Sequence, residues 1–245
     1  MKLILALMTI YSTSLVAQTV TIAADEWYPM NGDIKAGESG FMIDLADQAL
    51  ALKGMNIEYR VMPWERAILQ ARGGLIDCVV GASVDDVPDF IFGQEEYGLY
   101  DTTFYVRHDD LWRYQSKQSL TDKKVGAILG YAYAPEVDDW LELNAKKMSG
   151  NKALDKNIKM LLSYRLDTVI ESSAVMRAKL KQMGLSTEVM PAGNVGHPTK
   201  IYVACGPNSD RSQLIVDALD EGIRTLRSRG DVQQIMQNYG LTDWK

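Results

Sequence analysis

Short apolar runs alternate with amphipathic helical stretches along this chain, and the pattern starts twice. Residues 19–24 read as a strand that ends in the turn Asp25-Glu26-Trp27-Tyr28-Pro29. A helix is expected over 41–53, where Ile43, Ala46 and Leu50 recur at helical spacing. Residues 57–62 form the next expected strand. Pro63 then opens a helix over 64–72, and Gly73-Gly74 closes it, the usual asymmetry of helix ends. Strands follow at 76–82 and 102–107. The rhythm restarts with a strand at 124–129, Gly130-Tyr131-Ala132-Tyr133 and a helix through about 143. A helix at 155–164 leads to a strand at 167–170. Ser172 or Ser173 caps a helix that ends near Gly184. Strands at 187–190 and 200–205 precede a long helix, 209–229, stopped by Gly230, and a last helix, 231–239.

This is an α/β pattern in two lobes. The C-terminal helices have no sheet of their own, so they are expected to return to the first lobe. The chain then crosses between lobes twice, near 105–109 and 199–204. Lobe 1 is placed at 18–105 and 201–245, and lobe 2, inserted, at 106–200.

Residues 1–17 have the parts of a secretory signal: Lys2 near the start, a mostly apolar 3–16, and the small Ala17. The run is too short, and too broken by Thr9, Ser12, Thr13 and Ser14, for a span of about 20 apolar residues. Export, with cleavage after Ala17, is therefore expected, which in a Gram-negative cell means the periplasm. Acids outnumber bases 32 to 26, for a net charge of −6, which disfavours a nucleic-acid partner. His108, His197, Cys78 and Cys205 are too scattered for zinc-ligand spacing. No metal and no cofactor are expected.

Several short stretches, in order and spacing, carry a family resemblance. They are Ala24-Asp25-Glu26-Trp27-Tyr28-Pro29, Gly40-Phe41-Met42-Ile43-Asp44-Leu45, Met62-Pro63-Trp64-Glu65-Arg66-Ala67, Gly74-Leu75-Ile76-Asp77 with Gly81, Lys124-Val125-Gly126 with Gly130-Tyr131, and Arg165-Leu166-Asp167 with Glu171. From residue 18 onward the chain resembles the family 3 solute-binding proteins, receptors of polar amino-acid-type ABC importers, and their orphan relatives. The resemblance implies a periplasmic binding protein fold of type II. Two α/β lobes are joined by two crossover strands, and hinge closure captures a ligand between them.

Ligands of open α/β sheets bind beyond the carboxyl ends of the strands. Trp27 and Tyr28 follow the first strand and offer an aromatic wall, although Trp27 equally suits a plug in the lobe. Trp64 faces either the cleft or the sheet. Arg66 either grips an anion there or pairs with Glu65 on the surface. The resemblance assigns Ala82 and Ser83 to ligand contact through backbone and hydroxyl. Tyr97 and Tyr100 are placed as a roof and Arg107 at the crossover. Tyr131 and Tyr133 are placed at the start of a helix whose amides suit an anion, with core packing as the other reading of Tyr133. Glu171 sits where the family puts an acid against a ligand's amino group, and it also favours its helix dipole.

The family's amino-acid receptors carry an arginine in the loop that here reads Val84-Asp85-Asp86-Val87-Pro88-Asp89-Phe90, with Asp86 at the arginine's place. That inversion argues against an ordinary α-amino acid. A carboxylate ligand would need Arg66 or Arg107 instead, and the acidic loop leaves a cation, or mere solvation, open. The resemblance sets Cys78 and Cys205 on adjacent strands. Bridges there are geometrically demanding, so two buried thiols are the expectation.

Nucleophile-elbow, phosphate-loop and dinucleotide motifs are absent. The expectation is a monomeric binding protein, not an enzyme, for a small polar ligand, amino-acid-like or related, handed to an ABC permease, with a non-transport partner of a membrane sensor as one alternative. The cyclohexadienyl dehydratases, which resemble the same fold, supply the other, with Glu171 as the candidate acid.

Overall fold

The computed structural model describes residues 18–245. The expected signal segment lies outside the described residues. The strands are β1 (Gln18–Ala24), β2 (Met55–Val61), β3 (Cys78–Ala82), β4 (Gly98–Arg107), β5 (Val125–Ile128), β6 (Lys146–Met148), β7 (Thr168–Glu171) and β8 (Val189–Cys205). The helices are α1 (Phe41–Ala51), α2 (Trp64–Arg72), α3 (Asp138–Asn144), α4 (Ala153–Leu162), α5 (Ser173–Met183), α6 (Ser212–Arg229) and α7 (Asp231–Asn238). Among the described residues no helix is long and apolar enough to cross a membrane.

One curled sheet runs through both halves in the order β2-β1-β3-β8-β4-β7-β5-β6. In the first half β1 pairs in parallel with β2 and β3, an arrangement that needs crossover connections such as α1 and α2. In the second half β5 pairs in parallel with β6 and β7. The two long strands β4 and β8 pair antiparallel from Gly98–Ile201 to Arg107–Val189 and carry the sheet across. Their register shifts between Tyr100 and Thr102 and again between Phe104 and Tyr105. Such bulges bend a strand locally. β4 already pairs with β7 at Thr103–Glu171, so the sheet enters its second half before residue 105. α6 and α7 return to the first half, where Gly222 lies so close to Ala49 of α1 that a Cβ would meet its backbone oxygen at 2.6 Å.

The α2 bounds match the sequence expectation, because Pro63 sits just before its first turn and Gly73 at its end. Three elements differ. The strands expected at 187–190 and 200–205 are one strand of 17 residues, β8. Pro191, Gly193, Gly196 and Pro198 break the apolar pattern, but Pro191 and Gly193 pair with Tyr105 and Phe104, and Gly196 and Pro198 fall within a register shift. The helix expected from Tyr131 begins only at Asp138, whose Oδ1 accepts the backbone N–H groups of Tyr133 (2.8 Å) and Ala134 (3.2 Å). β6, with exposed Lys146 and no apolar alternation, was not expected.

The cysteines also differ from expectation. Cys78 of β3 lies directly opposite Cys205 of β8, and the two form a disulfide. The antiparallel register brings their Cα atoms to 3.9 Å, so the pair is bridged rather than left as two thiols.

Candidate functional site

The carboxyl ends of β1, β3 and β7 converge where the halves meet, and side chains from both close around a cavity of about 30 Å³. The first half contributes Asp25, Trp27, Asn31, Trp64, Val80, Gly81 and Asp86; β4 contributes Tyr100; the second half contributes Tyr131, Ala132, Tyr133 and Glu171. The turn after β1 is tied by Trp27 and Asn31, with the Trp27 N–H donating to the Asn31 carbonyl at 2.8 Å. The Asn31 amide donates to the Asp25 carbonyl at 2.7 Å. Gly81, at φ 88°, lets the end of β3 pass beneath this turn, since a Cβ there would sit 3.1 Å from Asn31 Oδ1.

Four hydrogen bonds cross the cleft. Trp27 Nε1 donates to Glu171 Oε1 at 2.9 Å. The Tyr131 hydroxyl donates to Asp25 Oδ2 at 2.6 Å. The Ala132 N–H donates to Asp86 Oδ1 at 2.9 Å. The Tyr100 hydroxyl donates to the Ala132 carbonyl at 3.0 Å. The cleft is therefore shut by its own residues.

The walls are aromatic. Trp27 meets Tyr100 edge-on with centroids 5.3 Å apart and Tyr131 at 6.4 Å. Trp64 meets Tyr131 edge-on at 6.5 Å. The polar groups are carboxylates. Burial pushes Glu171 up to about 7, against the opposing effect of its bonds from Trp27 and the Ser172 N–H. Burial likewise lifts Asp25 to about 6, although the Tyr131 bond pulls it down, and it raises Asp86. Glu171 Oε2 and Asn31 Oδ1 are buried and accept no hydrogen bond. No Lys, Arg or His among the described residues lines this cavity.

Trp27, Trp64, Tyr100, Tyr131 and Glu171, expected at the cleft from the sequence, all line the cavity. Ala82 and Ser83 stand just behind it. Ser83 is turned inward, where its N–H and hydroxyl both donate to Asp86 Oδ2 at 2.7 Å. Tyr28 lines a separate groove of about 490 Å³ with Arg177 and Tyr239.

Three more of the expected residues lie away from this cavity. Arg66 is exposed on α2 and does not line the cavity. Tyr97 is a core residue, 1% exposed, whose hydroxyl donates to the Leu219 carbonyl at 2.9 Å. Arg107, at the far end of β4, donates to the carbonyls of Leu161 and Leu166 and to Asp110, and its guanidinium lies 4.2 Å from the Tyr164 ring centroid. It clamps the end of α4, away from the cleft.

The amides after Gly130 hold no anion site either, since Asp86 and Asp138 already occupy them. The sequence reading missed Asp25 and Asn31 as lining residues. Their one visible signal was position in the turn straight after a strand.

No protein-family model matches the sequence, and no curated protein matches it. Solved structures do match. A mutant of an arginine-binding protein from T. maritima superposes with a TM-score of 0.77 at 16% identity, covering 91% of this chain and 95% of that one. A histidine kinase sensor domain with similarity to periplasmic binding proteins gives 0.77 at 15% identity, covering 93% and 99%. An amino acid ABC transporter substrate-binding protein from Streptococcus pneumoniae, bound to L-arginine, gives 0.73 at 21% identity, covering 90% and 94%. The chain has the fold of the periplasmic solute-binding proteins, as the motif resemblance implied.

Proposed function

We propose that this protein is an exported solute receptor that captures a small polar ligand between its two halves and holds it by hinge closure. The observation that carries the reading is the cavity itself. Its walls come from both halves, and the hydrogen bonds that shut it run from one half to the other. A ligand that contacts both walls binds the closed form better than the open one, and that difference supplies the closing free energy. The two bulges in β4 and β8 are the natural hinge. The neighbours in fold include receptors that hold arginine, in keeping with delivery to an ABC-type importer. The sensor-domain neighbour favours signalling as the second outlet for the same capture step.

One observation favours an enzyme as the second reading. Buried Glu171, near neutrality in its proton affinity, suits general acid–base work of the dehydratase kind. The test is thermal unfolding against amino acids, amines, organic acids and small aromatics, followed by recovery of any compound that binds. A solute present at 100 times its Kd stabilises by about 2.7 kcal/mol, a rise of roughly 5–10 °C for a chain of this size. Recovery of the compound unchanged supports the receptor, and its conversion supports the enzyme. If no compound of any class shifts the transition, the receptor reading fails.

A further inference from the structure

We infer that the cavity selects the primary ammonium group of an amine that carries no α-carboxylate. The inference rests on the solute-receptor reading and names its ligand class.

The first argument is what the cavity leaves unpaired. Glu171 and Asn31 are each 1% exposed, and Glu171 Oε2 and Asn31 Oδ1 accept no hydrogen bond. Both are acceptors. Buried acceptors left unpaired are costly, so the missing partner is a donor. An ammonium group brings three N–H donors and no acceptor.

The second argument is charge. Asp25 and Glu171 face the cavity, and no cationic side chain among the described residues lines it. Lys179 lines a neighbouring crevice that also touches Asp25 and Glu171, but its ammonium lies on Asp155 at 3.4 Å and Gln182 at 2.8 Å. Trp27, Trp64 and Tyr131 complete the wall, and an aromatic ring attracts a cation held over its face.

A carboxylate has no place beside these groups. The loop position that the family resemblance assigns to a carboxylate-gripping arginine holds Asp86, and Asp86 is fully engaged by Ser83 and the Ala132 N–H. A bare metal ion is also a poor fit, because no three His, Cys, Asp or Glu side chains among the described residues are grouped to hold one. A quaternary ammonium would satisfy the aromatic walls and leave both acceptor oxygens unpaired. The cavity, about 30 Å³, exceeds the roughly 10–15 Å³ that one water-sized group needs, so it has room for one such head group.

The experiment is calorimetric titration of the purified protein at pH 7.5 with matched pairs: agmatine and arginine, putrescine and ornithine, ethanolamine and choline. At least one amine is expected to bind ten times or more tighter than its amino-acid partner, and ethanolamine more tightly than choline. Glu171→Gln, which keeps size and loses charge, is expected to weaken the amine at least tenfold. Asp25→Asn serves as the second variant, and far-ultraviolet circular dichroism checks that both fold. If an amino acid binds as well as its amine, or choline as well as ethanolamine, the ligand class is wrong while the receptor reading stands. If neither amines, amino acids nor organic acids bind, both fall together.

Discussion

Trp27 and Glu171 lie 144 residues apart in the chain, yet the indole Nε1 of one donates to the carboxylate Oε1 of the other at 2.9 Å. The bond joins the turn after β1 to the end of β7 and so spans the two halves. It also aims Glu171, because with Oε1 held by Trp27 and by the Ser172 N–H at 2.8 Å, Oε2 is the oxygen left for a ligand.

Trp27→Phe keeps most of the aromatic wall and removes the donor. A hydrogen bond to a charged group is worth about 1.5–3 kcal/mol, so affinity for the bound solute is expected to fall by roughly ten- to a hundredfold. The bond is already made in the ligand-free protein, so the unfolding temperature of the empty protein is expected to fall as well. Titration calorimetry on both forms checks this, and unchanged affinity would remove the Trp27–Glu171 bond from the closed state.

The empty protein should lose stability as pH rises from about 4 to 7. Burial raises Glu171 to about 7 and Asp25 to about 6. A carboxyl with a raised native pKa keeps its proton in the folded state longer than in the unfolded state. Over that window the native form binds more protons, so stability falls with pH. For Glu171, lifted from 4.5 to about 7, the loss is on the order of 3 kcal/mol.

The groups around Glu171 are Trp27, Asp25, Asp101, Tyr131 and Tyr133, with Lys179 in the neighbouring crevice. Glu96 acts in a different window. Burial would raise it, but its hydrogen bonds and Lys245 hold it at about 2, so its contribution is lost only as pH falls from about 4 toward 2. Scanning calorimetry from pH 4.5 to 7.5 is expected to show a falling transition temperature, with a shallower fall in Glu171→Gln. An equal slope in that variant would show that Glu171 is not the group responsible.

The Cys78–Cys205 bridge closes a separation of 127 residues. In the chain-entropy picture, removing so long a closure costs about 4–5 kcal/mol, a drop on the order of 10 °C or more for a chain of this size. The bridge joins β3 to β8 within the first half, and neither cysteine lines the cavity. The paired Cys78→Ala and Cys205→Ala variant is therefore expected to unfold earlier and still bind its solute with little change in Kd. Thermal unfolding with and without a reductant gives the first reading, and titration of the folded variant gives the second.

Local punctuation was legible where a local rule fixed it. Pro63 and Gly73 bounded α2, and Gly184 and Gly230 stopped α5 and α6. β8 was split because its Pro and Gly residues mark breaks in sequence, whereas pairing with β4 holds them in one strand. Aromatic residues beyond strand ends were legible as cleft candidates, and Trp27, Trp64, Tyr100 and Tyr131 met there. Tyr97 has the same local signature, but its packing against α6 is a contact 122 residues away. Asp25 and Asn31 look like ordinary turn residues, and their role depends on Tyr131 and Gly81 arriving from distant parts of the chain.

The start of α2 offers a sharp internal comparison. Trp64 and Arg66 are two residues apart, and the sequence left both as cleft candidates, each with a second reading away from it. Two residues along a helix turn the side chain through roughly 200°, and only Trp64 faces the cavity, 5% exposed, while Arg66 points to solvent. Trp64→Ala removes a wall that packs on Tyr131, and truncating a buried aromatic costs about 3–5 kcal/mol, part of it in stability. Its solute affinity is expected to fall at least tenfold, and Trp64→Phe should restore part of it, since a smaller ring still lines the cavity. Arg66→Ala is expected to leave both affinity and unfolding temperature close to the parent. Side-by-side titrations decide the matter: a large loss in Arg66→Ala would mean that the ligand reaches beyond the aromatic cavity to the outer face of α2.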